Sequence, residues 1–550
     1  MDARVLPLLR MPRSQEGFDY HIPRGMNVLS GDMVIVPFRK KKVRGIVWKT
    51  AAKLPEARLS IDKVLVGGAM TPLQQKIFQF VRNYYGAAIT TLLKTTLPLF
   101  PIRAPQEFSR EDDVKPGTQK MPLHTLILYA SYAEKDADAI KRIQAARGMA
   151  LCIFPTHAAL LRFYAFLTKA GFDPTIIEHG QSANVRRENY EAVRFQKNTV
   201  LLTTKLGLFA PFPRLDLILI EDAEHPAHKQ YDQQPYYDSR TLAHELAMRS
   251  GSALLSYAQV PLAETWHALA EKTLKQERAG KVPQYRAPTI LNIRTERHQG
   301  NETLLSAPLR EHLRDPDVFP ALLYLNKIEH GEKEESRGIE TLLFEIRELF
   351  PEKRIVVVSG NSALPNRTQI EHADIILATE RFWSVAPYDF YMKTVVAIDA
   401  DRDRLRTYFR ARTKAFASLI RLRNSTAADG TYFIQTREPS DPLFSSLREK
   451  NWGHFFREEL KNRNEFFYPP FAALTRLRFS EENAETLAQL ETLKHKLPDG
   501  AELSPVFHAR GKLPYAVLLK ESPSGQRFGS SIGSLLPSTW TIDVDPLDLE

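Results

Sequence analysis

Three acids and a histidine give the first chemical hint. The apolar run Leu217, Ile218, Leu219, Ile220 ends abruptly in Glu221, Asp222, Ala223, Glu224 and His225. A short apolar run bounded by polar residues reads as a buried strand. Carboxylates just past its carboxyl end lie where open α/β sheets place their ligands. An aspartate at such a strand end is suited to hold Mg2+ for a nucleotide, as in a Walker B element. The alternative is a buried strand that surfaces into an acidic loop, and residue types alone leave both open.

A second candidate lies near the amino terminus. Arg39, Lys40, Lys41 and Lys42 follow one another, with Arg44 close behind. Four adjacent cations repel each other and do little for folding. They form either a solvated loop or a finger that contacts phosphates. Upstream, Phe18 and Tyr20 flank Asp19 in GFDYHIP. Nucleic-acid bases stack on such rings regardless of sequence, although alternating aromatic residues also suit a core.

The elements that must position these residues follow from patterning. Gly31–Phe38 and Val43–Thr50 are rich in Val and Ile and read as two strands with the basic tetrad between them. Thr71–Leu97 carries Ile77, Phe80, Val81, Tyr84 and Tyr85 at helical spacing. Residues 105–120 are polar, contain two prolines and read as a linker. Residues 121–268 and 318–436 alternate strand and helix, which predicts parallel α/β layers. A mixed basic connection spans 269–317, and a carboxy-terminal α/β domain spans 437–550.

Composition narrows the class. The 550 residues imply two to four domains, and 43% hydrophobic with 25% charged residues is ordinary for a soluble protein. No apolar run approaches the ~18 residues needed to span a bilayer, and the start MDARVLPLLR lacks the apolar core of a secretory signal. Cys152 is the only cysteine, which excludes a disulfide framework and a cysteine-rich zinc site. A cytoplasmic location is the default. Charge is uneven: residues 1–104 hold 17 Lys and Arg against 6 Asp and Glu, whereas the whole chain is only +10. Such asymmetry points to a polyanionic partner for the amino-terminal segment.

The combination of FDY, then GDMVIVPF with its basic hairpin, then TPLQQKIFQFVRNYYGA resembles the 3′-end DNA-binding domain of the PriA (primosomal protein N′) replication-restart helicase family. The resemblance continues through TTKLGLFAPFP, the stretch Asp222–Gln230 with His225, Lys229 and Gln230, GIETLLFEIRELFPEKRIVVVSG, the YPPF turn at Tyr468–Phe471 and the final IDVDP. It implies two RecA-like helicase lobes between a β-rich 3′ DNA-binding domain and a carboxy-terminal α/β domain. In that family Phe18, Asp19 and Tyr20 would line the pocket for a 3′-terminal nucleotide. Arg39 stands where the family usually has glycine, and Lys63 is nearest to a family lysine. A winged helix usual near residues 105–120 has no room here, and a zinc-binding insertion with eight cysteines is replaced by Glu332–Gly338.

The nucleotide motifs depart from the family. A P-loop needs glycines so that successive N–H groups can point at phosphate, and a hydroxyl to ligate Mg2+. At the equivalent place, Tyr129–Asp136, Lys135 survives without any glycine, and Glu134 and Asp136 flank it. Asp222 keeps the first Walker B acid. The second aligns with Ala223, leaving Glu224 beside it, or Glu221 and Asp222 if the register shifts by one. The arginine motif reads Leu422 and Ser425, with Arg421 and Arg423 out of register.

The resemblance therefore implies a DNA-binding protein for forked, single-stranded or 3′-ended DNA in replication restart. Its helicase scaffold is expected to have lost ATP hydrolysis, with no cofactor and no zinc; ATP and Mg2+ enter only if residual nucleotide binding persists. Single-strand-binding protein or primosome components are the protein partners implied, at the nucleoid and with no membrane. The competing readings are an active ATP-dependent 3′→5′ helicase using Lys135 and Asp222, and a protein-interaction adaptor.

Overall fold

Apolar runs of four to seven residues become strands, and four sheets account for nearly all of them. The computed structural model describes residues 1–548 except 14, 87, 99, 101–105, 109–123, 282–285, 328–337, 361–362, 387–388, 407, 510, 524–531 and 534. Most of the expected linker at 105–120 and of the segment Glu332–Gly338 therefore lies outside the described residues.

The first sheet holds β1 (Asp2–Pro7), β2 (Phe18–His21), β3 (Met33–Phe38), β4 (Lys41–Ala51), β5 (Leu59–Ser60), β6 (Lys63–Gly67) and β7 (Gln106–Glu107), in the order β5-β2-β1-β4-β3-β6-β7. The second holds β8 (His124–Leu128), β9 (Met149–Ile153), β10 (Thr175–Ile176), β11 (Val200–Thr203), β12 (Leu215–Ile220), β13 (Ala253–Ala258) and β14 (Lys275–Arg278). Its order is β10-β11-β9-β12-β13-β8-β14, with parallel pairing along β10-β11-β9-β12-β13. The third is parallel, built from β15 (Thr289–Asn292), β16 (Ala321–Tyr324), β17 (Ile355–Val358), β18 (Ile375–Ala378), β19 (Met392–Ala397) and β20 (Thr426–Thr436) in the order β15-β20-β19-β16-β18-β17. The fourth is antiparallel, with β21 (Ala473–Phe479) between β24 (Tyr515–Glu521) and β25 (Thr541–Val544), and with the short β22 (Glu502–Leu503) and β23 (Phe507–His508) both paired to β24. This is the expected mixture of a β-rich amino-terminal part, parallel α/β layers and a carboxy-terminal α/β part.

The chain divides into two compact units. The first is Met1–Leu126, Ala139–Tyr257 and Phe467–Glu550; the second is Ile127–Asp138 and Ala258–Phe466. In the first unit one apolar core runs through all three segments, from Ile77, Phe78 and Tyr85 through Phe209 and Tyr237 to Leu477 and Val544. Polar ties reinforce it. Gln74 Nε2 donates to the Phe209 carbonyl (2.6 Å), the Asp238 N–H donates to Tyr85 Oη (3.0 Å) and Tyr84 Oη donates to Asp545 (2.8 Å).

The helical pattern at Thr71–Leu97 is two helices, not one. Pro72–Tyr85 starts on a Thr71–Gln74 capping box and stops at Gly86, whose left-handed backbone (φ 56°) closes the last turn. A second helix, Thr90–Thr96, follows. In the second unit two apolar clusters cover β15–β20, one holding Ile376, Val395, Phe416 and Phe455, the other Leu309, Leu323, Leu342 and Val396. Among the described residues no helix is long and apolar enough to cross a membrane.

Candidate nucleic-acid interface

The basic tetrad is divided by the fold. Phe38 pairs with Lys41 and Pro37 with Lys42, so the hairpin tip is Arg39-Lys40 alone, while Lys41 and Lys42 already belong to β4. Arg39 and Lys40 both have positive φ, 45° and 61°. Two left-handed residues in a two-residue loop define a type I′ turn, whose twist matches the flanking strands and whose usual residues are Asn and Gly. The glycine that the related family places after VPF thus has a backbone reason. In this chain two long cations occupy the turn instead, against a strain of roughly 1 kcal/mol each.

Phe18, at the start of β2, meets Phe38 at the end of β3 edge to face, with ring centroids 5.1 Å apart. Arg39 lies over Phe38 at 5.4 Å. Both rings are half-buried, and Arg39, Lys40, Lys41 and Lys42 are exposed. The result is a ring pair beside a cluster of cations. Lys42 also bonds to Asp62 (3.0 Å), next to exposed Lys63 on β6. Arg44 turns away from the tip and donates to the Phe100 carbonyl (3.3 Å).

The other two members of FDY are held inside. Arg4 faces Asp19 across β1 and β2 and binds its carboxylate through two nitrogens, at 2.7 and 3.0 Å. Tyr20 is buried in the small core of Val5, Val34 and Val47, and its hydroxyl donates to the Pro37 carbonyl (3.0 Å). The fold therefore brings Phe18, Phe38 and Arg39 together and makes Asp19 and Tyr20 the floor beneath them. Phe38 and Arg4 were not singled out in the sequence. Their only signals were the apolar end of the VPF strand and a cation on the strand next to that of an acid.

The nucleotide-motif residues are also placed. Strand β8 ends at Leu128 and the next helix begins at Tyr132, leaving only Tyr129, Ala130 and Ser131 between them. Lys135 lies four residues into that helix, is buried, and pairs with Asp136 at 3.0 Å. Its ammonium sits 5.8 Å from the Tyr129 ring and 5.2 Å from the Tyr132 ring. The first helical N–H, that of Tyr132, is taken by the Asp389 carboxylate (3.1 Å), which also accepts from Ser131 Oγ (3.4 Å). Glycine-free and three residues long, this junction offers no row of N–H groups to a phosphate.

At the end of β12, Glu221 is bound by Arg162 (3.0 Å) and its carbonyl accepts from His228 Nε2 (2.8 Å). Asp222 is buried with φ 46°, a left-handed turn out of the strand, and Glu224 lies beyond it in the loop. His225 Nδ1 accepts from the Ala227 N–H (3.1 Å), a local cap. Burial drives His228 down to about 4, with Arg240 adding to the effect. In the arginine-motif helix Leu422 is buried, Ser425 caps back onto the Arg421 carbonyl, and Arg421 and Arg423 stack over Trp383 and Trp452. No cluster of three metal-binding side chains occurs among the described residues.

Comparison with known proteins agrees with this geometry. Residues 8–98 match the family model described as the 3'DNA-binding domain (3'BD). The replication restart protein PriA of Rickettsia felis is 23% identical over 91% of this chain and 92% of its own length. That of Helicobacter pylori is 21% identical over 95% of this chain and 96% of its own length. A solved structure of RecG bound to a three-way DNA junction aligns with 72% of this chain and 47% of that one, at a TM-score of 0.39 and 10% identity. Residues 8–98 thus match a 3'DNA-binding domain around the Phe18 and Arg39 surface, and the chain is similar, nearly end to end, to the PriA replication restart proteins.

Proposed function

We propose that this protein binds branched or 3′-ended DNA in replication restart, and that its helicase lobes serve as a scaffold that does not hydrolyse ATP. The observation that carries DNA binding is the Phe18–Phe38 ring pair beside the strained cationic turn Arg39-Lys40. A terminal base stacks on the rings while the cations meet backbone phosphates. Asp19 and Tyr20 act as positioning residues, because Arg4 and the Pro37 carbonyl fix them under the rings. Lys63 and Lys42 extend the phosphate contacts along β6 and β4.

Loss of hydrolysis rests on the junction after β8. Lys135 is committed to Asp136 and two tyrosine rings, and Asp389 supplies at the helix start the negative charge that a phosphate would bring. Asp222 and Glu224 then have no triphosphate to serve, so neither ATP, Mg2+ nor zinc is required. The protein works in the cytoplasm at the nucleoid, with single-strand-binding protein or primosome components as partners.

The test is binding of a fork with a free 3′-hydroxyl against the same fork ended by a 3′-phosphate. The wild type is expected to prefer the free end, and Phe18→Ala to lose tenfold or more, about 1.4 kcal/mol, by removing one stacking ring. Equal binding of both forks by both proteins would refute the assignment.

A further inference from the structure

The first unit holds a cavity apart from the basic hairpin, the ring pair and the junction after β8. It measures about 430 Å3, a size that takes one small ligand. Its lining includes Thr156, His157, Glu178, Lys205 and Asp232, from the loops that follow β9, β10, β11 and β12. Parallel sheets place ligands beyond such strand ends.

Lys205 differs from the other enclosed lysines. Lys135 and Lys229 are buried against Asp136 and Asp543. Lys205 is half-buried, and among the described residues no carboxylate lies within ion-pair distance of its ammonium. Its one hydrogen bond among them, to the Lys229 carbonyl, is long at 3.5 Å. An ammonium so poorly compensated for lost water is disfavoured against the neutral amine. Burial accordingly lowers its pKa, and the more distant Asp232 and Asp238 raise it too little to cancel that. A neutral amine that lines an opening is a nucleophile.

Another part of the lining suits a phosphate. Thr156 caps the 13-residue helix His157–Lys169 by accepting from the Ala159 N–H (3.2 Å), which leaves the N–H groups of His157 and Ala158 for an anion. His157 is exposed, and the buried Glu178 carboxylate holds its Nδ1, so Nε2 is the ring atom left for a ligand. Glu178 is thereby spent on the imidazole, and Asp232 is exposed to water.

We propose that Lys205 is an acylation site for small acyl phosphates, of which acetyl phosphate is the simplest. The amine attacks the acyl carbon, the N–C bond forms and the C–O bond to phosphate breaks. The phosphate leaves with the electron pair and takes up the proton that the nitrogen sheds. The helix start and His157 Nε2 hold it meanwhile. The product amide keeps an N–H for the Lys229 carbonyl and has no charge to bury, so it suits the site better than the ammonium does.

The test is incubation of the full chain with acetyl phosphate, followed by digestion and mass spectrometry. Lys205 is expected to be acetylated about tenfold faster than exposed Lys169 and Lys197, which serve as internal controls. Excess inorganic phosphate, or His157→Ala at an exposed position, should slow Lys205 about threefold and leave both controls unchanged. Acetic anhydride has no phosphate to hold, so it should favour Lys205 equally in the wild type and in His157→Ala. Acetylation of Lys205 at the rate of the controls would overturn the proposal. So would a rate with acetyl phosphate that His157→Ala leaves unchanged, or faster acetylation of Lys205 by acetyl-coenzyme A than by acetyl phosphate.

Discussion

Lys229 Nζ lies 3.0 Å from Asp543 Oδ1, and both side chains are buried. The lysine follows the acidic loop after β12; the aspartate belongs to the final strand, β25. The same ammonium donates to the Val544 carbonyl and sits 5.7 Å from the Tyr85 ring. One buried cation thus joins the three segments of the first unit: the amino-terminal domain, the α/β layer and the carboxy-terminal sheet.

Removing Lys229 takes one of two cations from buried Asp543, which keeps Arg476 at 3.1 Å. Lys229→Met is therefore expected to destabilise the first unit by about 1.5–3 kcal/mol, the usual range for a hydrogen bond to a charged group. Asp543→Asn should cost less, because an amide oxygen still accepts from Lys229. Chemical denaturation followed by far-UV circular dichroism separates these values. A loss below 1 kcal/mol for Lys229→Met would mean that the pair does not hold the segments together.

The strained turn gives an opposed pair of effects. Replacing Arg39 and Lys40 by Asn-Gly suits a type I′ turn and is expected to stabilise the protein by about 1 kcal/mol. The same change removes two phosphate-binding charges, so fork affinity should fall and the slope of log K against log salt should shrink by about 1–2. A thermal shift and a salt titration on one variant measure both.

Acid sensitivity follows from two histidines in the first unit. Burial pushes His124 down to about 4, helped by neighbouring His244, and His228 also to about 4. Each folded value lies below the ordinary 6.5, so the unfolded chain binds more protons between those limits. Stability is then full above about pH 6.5 and falls as pH drops toward 4, by about 3 kcal/mol for each histidine. Denaturation midpoints across this range should show the fall, and His228→Gln should flatten it.

Glu16 works in the opposite direction. Burial pushes its carboxyl up to about 7, against the nearby Arg82 and a hydrogen bond from the Ile89 N–H. The folded chain holds that proton between pH 4.5 and 7, so ionisation at higher pH costs stability. Glu16→Gln is expected to stabilise the protein by about 1–3 kcal/mol at pH 8 and to change little at pH 5.

Local pattern carried much of the fold. The Val- and Ile-rich runs became β3 and β4, and Leu217–Ile220 lies within the buried strand β12 that the abrupt acids had suggested. What the sequence concealed was set by partners far along the chain. Nothing near Asp19 announces Arg4 as its mate, and nothing near Lys229 announces Asp543, because tertiary pairing decides both. Tyr20 looked like a stacking ring yet lies in the core, since strand alternation fixes a face but not which face is covered. Gly86 was readable as a helix stop and was hidden by the apolar spacing that resumes beyond it. Motif spacing told that Lys135 had lost its glycines; only the fold brings Asp389 to the helix start.

On the proposed function, this chain grips DNA with an engine that does not turn over. Phosphate release from ATP, measured with the full chain and saturating forked DNA, tests it most directly. The expected result is a rate at background, the same for the wild type and for Lys135→Met. DNA-stimulated release that Lys135→Met abolishes would contradict the account.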